Sequence, residues 1–242
     1  MDTIILGDGP LGAAIATAFR ERGTEVLLFG RPHGRAQDRT DFGTPGLTIE
    51  ASRSDAVGDN IAAALAAGCR RFVIATTGWD SRRTAVETDL RAHGAAAVEA
   101  PNLSIGAALF FRLVERASEL IGAIDDFEPY LLEWHRRTKR DRPSGTAREL
   151  VRRIEAGSRW EGDALEIAVI RAGASPGMHL VGFDSPGETI ELRLTARDRS
   201  AYAAGALAAA DWLSRTTRPA GIHPFDEVVD ELLAAPALAA TA

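Results

Sequence analysis

Lys139 is the single lysine of this chain, and it stands between a strand-like stretch carrying Glu133 and His135 and a hydroxyl-rich turn, Ser144-Gly145-Thr146. Ser144 and Thr146 lie where a helix is expected to begin. Their hydroxyls and the free backbone amides would converge at the positive end of the helix dipole, forming a cradle for a carboxylate. The same residues could serve as plain N-caps, but a cap does not call for the cationic loop Arg136-Arg137-Thr138-Lys139-Arg140 ahead of it. An ammonium in that loop differs from its neighbours in one respect: it can release a proton near neutral pH, and a guanidinium cannot. Of the 28 basic residues, 27 are arginine. That excess reads as a compositional habit, and Lys139 is its exception.

A second constellation lies at the amino terminus. Gly7-Asp8-Gly9-Pro10-Leu11-Gly12 joins a short apolar strand, residues 3–6, to an alanine-rich helix ending near Glu21. Gly7, Gly9 and Gly12 have the G-x-G-x-x-G spacing that lets a turn close tightly and a pyrophosphate approach backbone amides. Glycine-rich turns also occur where nothing binds, and a carboxylate at Asp8 must point away from any phosphates. The next strand, residues 25–29, ends in Gly30-Arg31-Pro32-His33-Gly34-Arg35, where adenosine-ribose specificity is usually decided. Glycine followed by arginine leaves room and charge for a 2'-phosphate, so NADPH is favoured over NADH. Read blandly, Arg31 and Arg35 are ordinary loop arginines. A fourth strand, residues 71–75, ends in Thr76-Thr77-Gly78-Trp79, a small hydroxyl-rich turn suited to the nicotinamide side of such a cleft.

These groups need a scaffold, and the pattern supplies one. Strands near 3–6, 25–29, 47–50, 71–75 and 96–99 alternate with helices over about 100 residues, up to Pro101-Asn102-Leu103-Ser104. A long helix from Ser104 to about Ala123 follows, then a strand from Phe127 to His135 in which Leu131, Glu133 and His135 share one face. A helix to about Glu155, a strand over 188–196 alternating Ile190, Leu192 and Leu194 against polar neighbours, and helices over 203–213 and 225–233 complete the chain. This predicts an α/β protein: a Rossmann-type doubly wound nucleotide-binding domain, residues 1–104 and 200–242, with an inserted α+β domain over 105–199.

Composition narrows the partners. A net charge of -6 argues against a protein that lives on nucleic-acid phosphates. No apolar run approaches the roughly 20 residues of a membrane span, and the amino terminus lacks a basic leader, so cytoplasm is the expectation. Cys69 is the lone cysteine and the histidines are scattered in sequence, so no metal site is expected.

Glu133-Trp134-His135-Arg136-Arg137-Thr138-Lys139-Arg140-Asp141-Arg142-Pro143-Ser144-Gly145-Thr146-Ala147 resembles the E-x-H-H-x-x-K-x-D-x-P-S-G-T-A signature of the 4-hydroxy-tetrahydrodipicolinate (dihydrodipicolinate) reductase family. The resemblance extends to the glycine turn, to Thr76-Thr77-Gly78-Trp79, to Asn102-Leu103-Ser104-Ile105-Gly106 and to the run from Arg171-Ala172-Gly173 through His179 and Arg199 to Trp212-Leu213. It implies hydride transfer from NADPH or NADH to a cyclic imino dicarboxylate in diaminopimelate and lysine biosynthesis. It places proton transfer on His135 and Lys139, carboxylate binding on Ser144, Gly145 and Thr146, and cofactor contacts on Gly7, Gly9, Gly12, Thr76, Thr77, Gly78, Asn102 and Arg199, to which the loop after the second strand adds Arg31. His179 is implied as a structural neighbour of the site, and a homotetramer built on the inserted sheet is implied as the assembly.

The chain departs from the family pattern at a few points. Arg136 replaces a second histidine; it can bind a carboxylate but cannot relay a proton as a neutral group. The glycine turn is one residue short, Ala75 replaces a glycine, and Glu50-Ala51-Ser52 stands for D-F-[ST]. The alternatives are a reductase of another imino or keto diacid, or a catalytically silent nucleotide- or dicarboxylate-binding homologue, against which the intact His135 and Lys139 speak.

Overall fold

The computed structural model describes residues 3–30, 43–160 and 165–234. Two compact units emerge, one made of residues 1–105 and 199–242, the other of 106–198.

In the first unit β1 (Thr3–Leu6), α1 (Pro10–Glu21), β2 (Val26–Phe29), β3 (Leu47–Glu50), α2 (Val57–Ala66), β4 (Arg71–Ile74), α3 (Arg83–Ala92) and β5 (Ala96–Glu99) alternate. After the insertion, α6 (Ser200–Arg215), β10 (Gly221–Pro224) and α7 (Phe225–Ala234) follow. The strands form a parallel sheet in the order β10-β5-β4-β3-β1-β2. Strands of such a sheet are covered on both faces and so read as continuous apolar runs; every residue of β1 and of β3 is buried. The chain reverses its winding direction at β1, between β2 and β3, and in this architecture ligands bind outside the carboxyl ends of the strands at that switch. Ahead of α3 the expected first helical turn tightens into a 3-10 turn over Asp80–Arg82.

In the second unit α4 (Ile105–Ile121), β6 (Glu128–His135), α5 (Gly145–Ala156), β7 (Glu166–Arg171), β8 (Gly177–Asp184) and β9 (Thr189–Ala196) form a mixed sheet, order β7-β6-β8-β9, covered on one face by helices. Strand β7 runs parallel to β6, and β8 lies antiparallel to both β6 and β9. Here burial alternates: Leu131, Glu133 and His135 are buried while Trp134 is exposed. Helix α5 buries Ala147, Leu150 and Ile154, spaced i, i+3, i+7, against Leu131, Val181 and Phe183. Truncating Leu150 to alanine there would cost about 2–5 kcal/mol. The Rossmann-type sheet with an inserted α+β unit is therefore the architecture that the strand and helix periodicities imply.

Candidate active site

The inward face of β6 sets out the site of the second unit. Glu133 is fully buried, and the register places His179 of β8 opposite it, while Arg171 of β7 pairs with His135. Arg171 Nη2 lies 2.5 Å from Glu133 Oε1, and the Ser144 N–H donates to both carboxylate oxygens at 3.1 Å. His179 Nε2 is 3.6 Å and His135 Nδ1 3.7 Å from Glu133 Oε2. The two imidazoles meet edge to face, with centroids 5.1 Å apart. Burial alone would raise the Glu133 carboxyl, but hydrogen bonds from His179, Ser144 and Arg171 override it and hold the group well below the ordinary carboxylate range. For His135, burial first, then the charges of His179, Lys139 and Arg171, depress the imidazole to about 4 against the pull of Glu133. It is neutral at physiological pH.

The cationic loop is tied to this cluster. Arg171 Nη2 donates to the Asp141 carbonyl at 2.5 Å, and the amides of Arg136 and Arg137 donate to the carbonyls of Ser175 and Gly173. Lys139 Nζ sits 2.9 Å from Asp141 Oδ1, with its side chain a quarter exposed. Burial would raise the Asp141 carboxyl, but the Lys139 contact keeps it lowered. Arg136 is exposed, with Nε donating to Thr138 Oγ1. Ser144 is the N-cap of α5: its Oγ accepts from the Ala147 N–H and lies 3.2 Å from His179 Nε2. It is buried and committed internally, whereas Gly145 and Thr146 at the helix start are half-buried.

Glu133, His135 and His179 bring their ligand atoms within 4.8 Å of one another, a set that could hold a cation. The sequence spacing of the histidines hides this, because antiparallel pairing brings His179 back to β6. Arg171 already supplies the positive partner of Glu133, and no metal is assigned.

In the first unit the glycine turn meets the demands of a dinucleotide. Gly7 has φ +123°, and a Cβ there would strike the Ala51 carbonyl, while a Cβ on Gly12 would strike the carbonyl of Gly7. A Cβ on Gly9 would meet open space, and Gly9 is the N-cap of α1 without a side-chain cap bond, so the amides at that helix start face outward. The residues present fit a bound pyrophosphate. Beside the turn, Glu50 at the end of β3 is fully buried and accepts from the Ser52 N–H at 2.9 Å, Asn60 Nδ2 at 2.7 Å and Thr76 Oγ1 at 3.1 Å. Burial pushes this carboxyl up despite those bonds. Thr76 is thus buried on Glu50, while Thr77 and Gly78 are exposed on the same turn. Asn102 Oδ1 accepts from the Ser104 N–H, and Arg199 is the N-cap residue of α6. Arg31 lies outside the described residues.

The structure thus gathers His135 and Lys139 with Ser144, Gly145 and Thr146 in one unit and Gly7, Gly9, Gly12 and Thr76 in the other. Sequence reasoning named Arg171 and Glu50 only as matches to or departures from a family pattern and gave them no role, and it missed the bond between Asp141 and Lys139. An acid closing an otherwise apolar strand is the signal that marks Glu50. Arg171 is marked only by the Arg171-Ala172-Gly173 resemblance, since arginine by itself is everywhere in this chain.

Residues 106–229 match the family model "Dihydrodipicolinate reductase, C-terminus". The 4-hydroxy-tetrahydrodipicolinate reductase of Methanoregula boonei is 33% identical over 198 residues, 76% of this chain and 75% of that protein. The reductase of the same name from Methanococcoides burtonii is 32% identical over 171 residues, 65% of this chain and 63% of that protein. In fold, the chain is similar to a dipicolinate-bound dihydrodipicolinate reductase from Paenisporosarcina sp. TG-14, with a TM-score of 0.69 at 17% identity, covering 93% of this chain and 97% of that one. With the family model spanning half of its length and relatives extending the match, the chain belongs to the dihydrodipicolinate reductase family.

Proposed function

We propose that the protein is an NAD(P)H-dependent oxidoreductase that reduces 4-hydroxy-tetrahydrodipicolinate, after loss of water to dihydrodipicolinate, to tetrahydrodipicolinate in diaminopimelate and lysine biosynthesis. The observation that carries this reading is the buried Glu133–Arg171 pair, which ties His135 and the Lys139 loop to the start of α5. When bound, the reduced nicotinamide supplies a hydride to the conjugated imine, leaving an enamine that must take up a proton. Lys139 donates that proton from Nζ. His135, neutral above about pH 4, accepts rather than stores a proton and works with Lys139 as its acid–base partner. Gly145 and Thr146 receive a substrate carboxylate at the amides of the α5 start, Ser144 holds that turn against Glu133, and Arg136 offers charge to the second carboxylate.

Gly7, Gly9 and Gly12 receive the pyrophosphate, and Thr76, Thr77, Gly78, Asn102 and Arg199 complete the cofactor contacts. The expectation of NADPH rests on Arg31 and Arg35, both outside the described residues. The outer face of the four-stranded sheet, where the paired Trp134 and Ile170 are each about two-fifths exposed, is the surface on which a homotetramer would form. None of the described helices is long and apolar enough to cross a membrane, in keeping with a cytoplasmic setting.

Freshly generated 4-hydroxy-tetrahydrodipicolinate should cause loss of reduced-nicotinamide absorbance, and absence of turnover with both NADPH and NADH refutes the assignment. Lys139→Arg keeps the charge and removes the releasable proton, so kcat should fall about 100-fold or more while substrate affinity changes little. A near-normal kcat in that variant excludes Lys139 as the donor.

A further inference from the structure

The carboxylate that decides the adenosine ribose is sought, in a doubly wound sheet, at the end of the second strand. In this chain that position is Gly30, which has no side chain. The glycine turn is stitched to the same place by the Gly7 N–H, which donates to the Phe29 carbonyl at 2.7 Å. Asp8, the next residue, is exposed and turns its carboxyl onto Gly30: a Cβ built on Gly30 would collide with Asp8 Cγ and Oδ2. A carboxylate therefore occupies the root of the missing side chain, delivered from the glycine turn instead of from β2. The two residues are matched, since any side chain at position 30 would evict the Asp8 carboxyl and any shorter residue at position 8 would leave the spot without an acid.

Resting on the dinucleotide reading given above, we infer that Asp8 is the ribose-discriminating residue and that it selects the unphosphorylated cofactor, NADH. A carboxylate is an acceptor-only group. Placed there it takes hydrogen bonds from the 2'- and 3'-hydroxyls of a ribose diol, and those charge-assisted bonds are lost when the 2'-oxygen carries a phosphate. The phosphate dianion would moreover sit against a like charge. Asp8 points away from the pyrophosphate side of the turn because its partner lies at the end of β2. This revises the preference for NADPH drawn from Gly30 and the following arginines: the gap at Gly30 is filled by Asp8.

Calorimetric titration of the whole protein with ADP-ribose and with 2'-phospho-ADP-ribose tests this without any turnover. ADP-ribose should bind at least about tenfold more tightly. Asp8→Asn should weaken ADP-ribose and spare or strengthen the 2'-phosphorylated ligand, closing the gap. The double variant Asp8→Gly/Gly30→Asp, which clears the Asp8 Cβ as well and moves the carboxylate to the conventional position, should restore the preference for ADP-ribose. Equal or tighter binding of the 2'-phosphorylated ligand by the unaltered protein overturns the inference, as does an equal loss of both ligands in Asp8→Asn. Failure of both ligands to bind removes the dinucleotide reading and this inference with it. Ribose selection without turnover of the dicarboxylate would retain the inference and refute only the proposed reaction.

Discussion

Glu133 in the inserted unit and Glu50 in the nucleotide-binding unit are both fully buried at the carboxyl end of a strand or near it, yet their carboxyls are shifted in opposite directions. Glu133 faces the Arg171 guanidinium and a backbone N–H, and its carboxyl is held down. Among the described residues Glu50 accepts from the neutral donors of Ser52, Asn60 and Thr76, and burial pushes its carboxyl up. Neither side chain touches solvent, but Glu50 is packed more deeply than Glu133, so depth and partner act together. Three or four neutral hydrogen bonds do not offset the loss of hydration of a full charge, whereas one close cation with added hydrogen bonds does. The difference suits the two units. One needs a fixed charge to anchor His135 and the Lys139 loop. The other needs a rigid, hydrogen-bonded node beneath a turn that must receive the phosphates of a dinucleotide.

The same substitution at both sites breaks the comparison most sharply. Glu133→Gln leaves Arg171 buried without its charge partner and should cost about 3–5 kcal/mol in urea denaturation at neutral pH. A loss below 1 kcal/mol would mean that the pair is not what fixes the cluster.

Protonation tests the charged site next. His135 titrates from 6.5 in the unfolded chain to about 4 in the folded one. Between these values the unfolded state binds the extra proton, so folded stability is present above about pH 6.5 and is lost as pH falls toward 4, by up to about 3 kcal/mol. The stability difference between the unaltered protein and His135→Gln, followed by denaturation across that window, should shrink as the pH drops. A difference independent of pH contradicts a neutral buried imidazole.

The smallest effect is expected at Glu50. Glu50→Gln removes no cation pairing among the described residues and alters only hydrogen bonds to neutral donors, so it should cost no more than about 1 kcal/mol. The pH slopes of the two carboxylates should be opposite. The contribution of Glu133 is present above its unfolded value of 4.5 and lost as pH falls below it, while that of Glu50 is present below 4.5 and declines as pH rises. Slopes of the same sign would show that the two buried acids are shifted in the same direction.

Much of this arrangement is legible along the chain. The two-residue period of β6 places Glu133 and His135 on the buried face, and Ser144 followed by an apolar i, i+3, i+7 row announces α5. The glycine spacing announces the turn after β1. What stays hidden is long-range. Arg171 and Glu133 are 38 positions apart, and His179 reaches Glu133 only through the β6–β8 register. Lone histidines in the sequence look scattered for the same reason. Arg171 is also one of many arginines, so its role has no compositional mark.

By itself, then, the sequence determined the elements, the face each residue takes within them and the chemical types near Lys139, because these follow from backbone periodicity and side-chain chemistry over a few residues. Only the tertiary structure decided which charges are neutralised and which acid takes which place. Strand pairing chose Arg171 for Glu133, neutral donors for Glu50 and the Asp8 carboxyl for the space above Gly30. The physical reason is that charge state and contact depend on what lies within a few ångströms after burial, and that is set by register and packing across long stretches of chain.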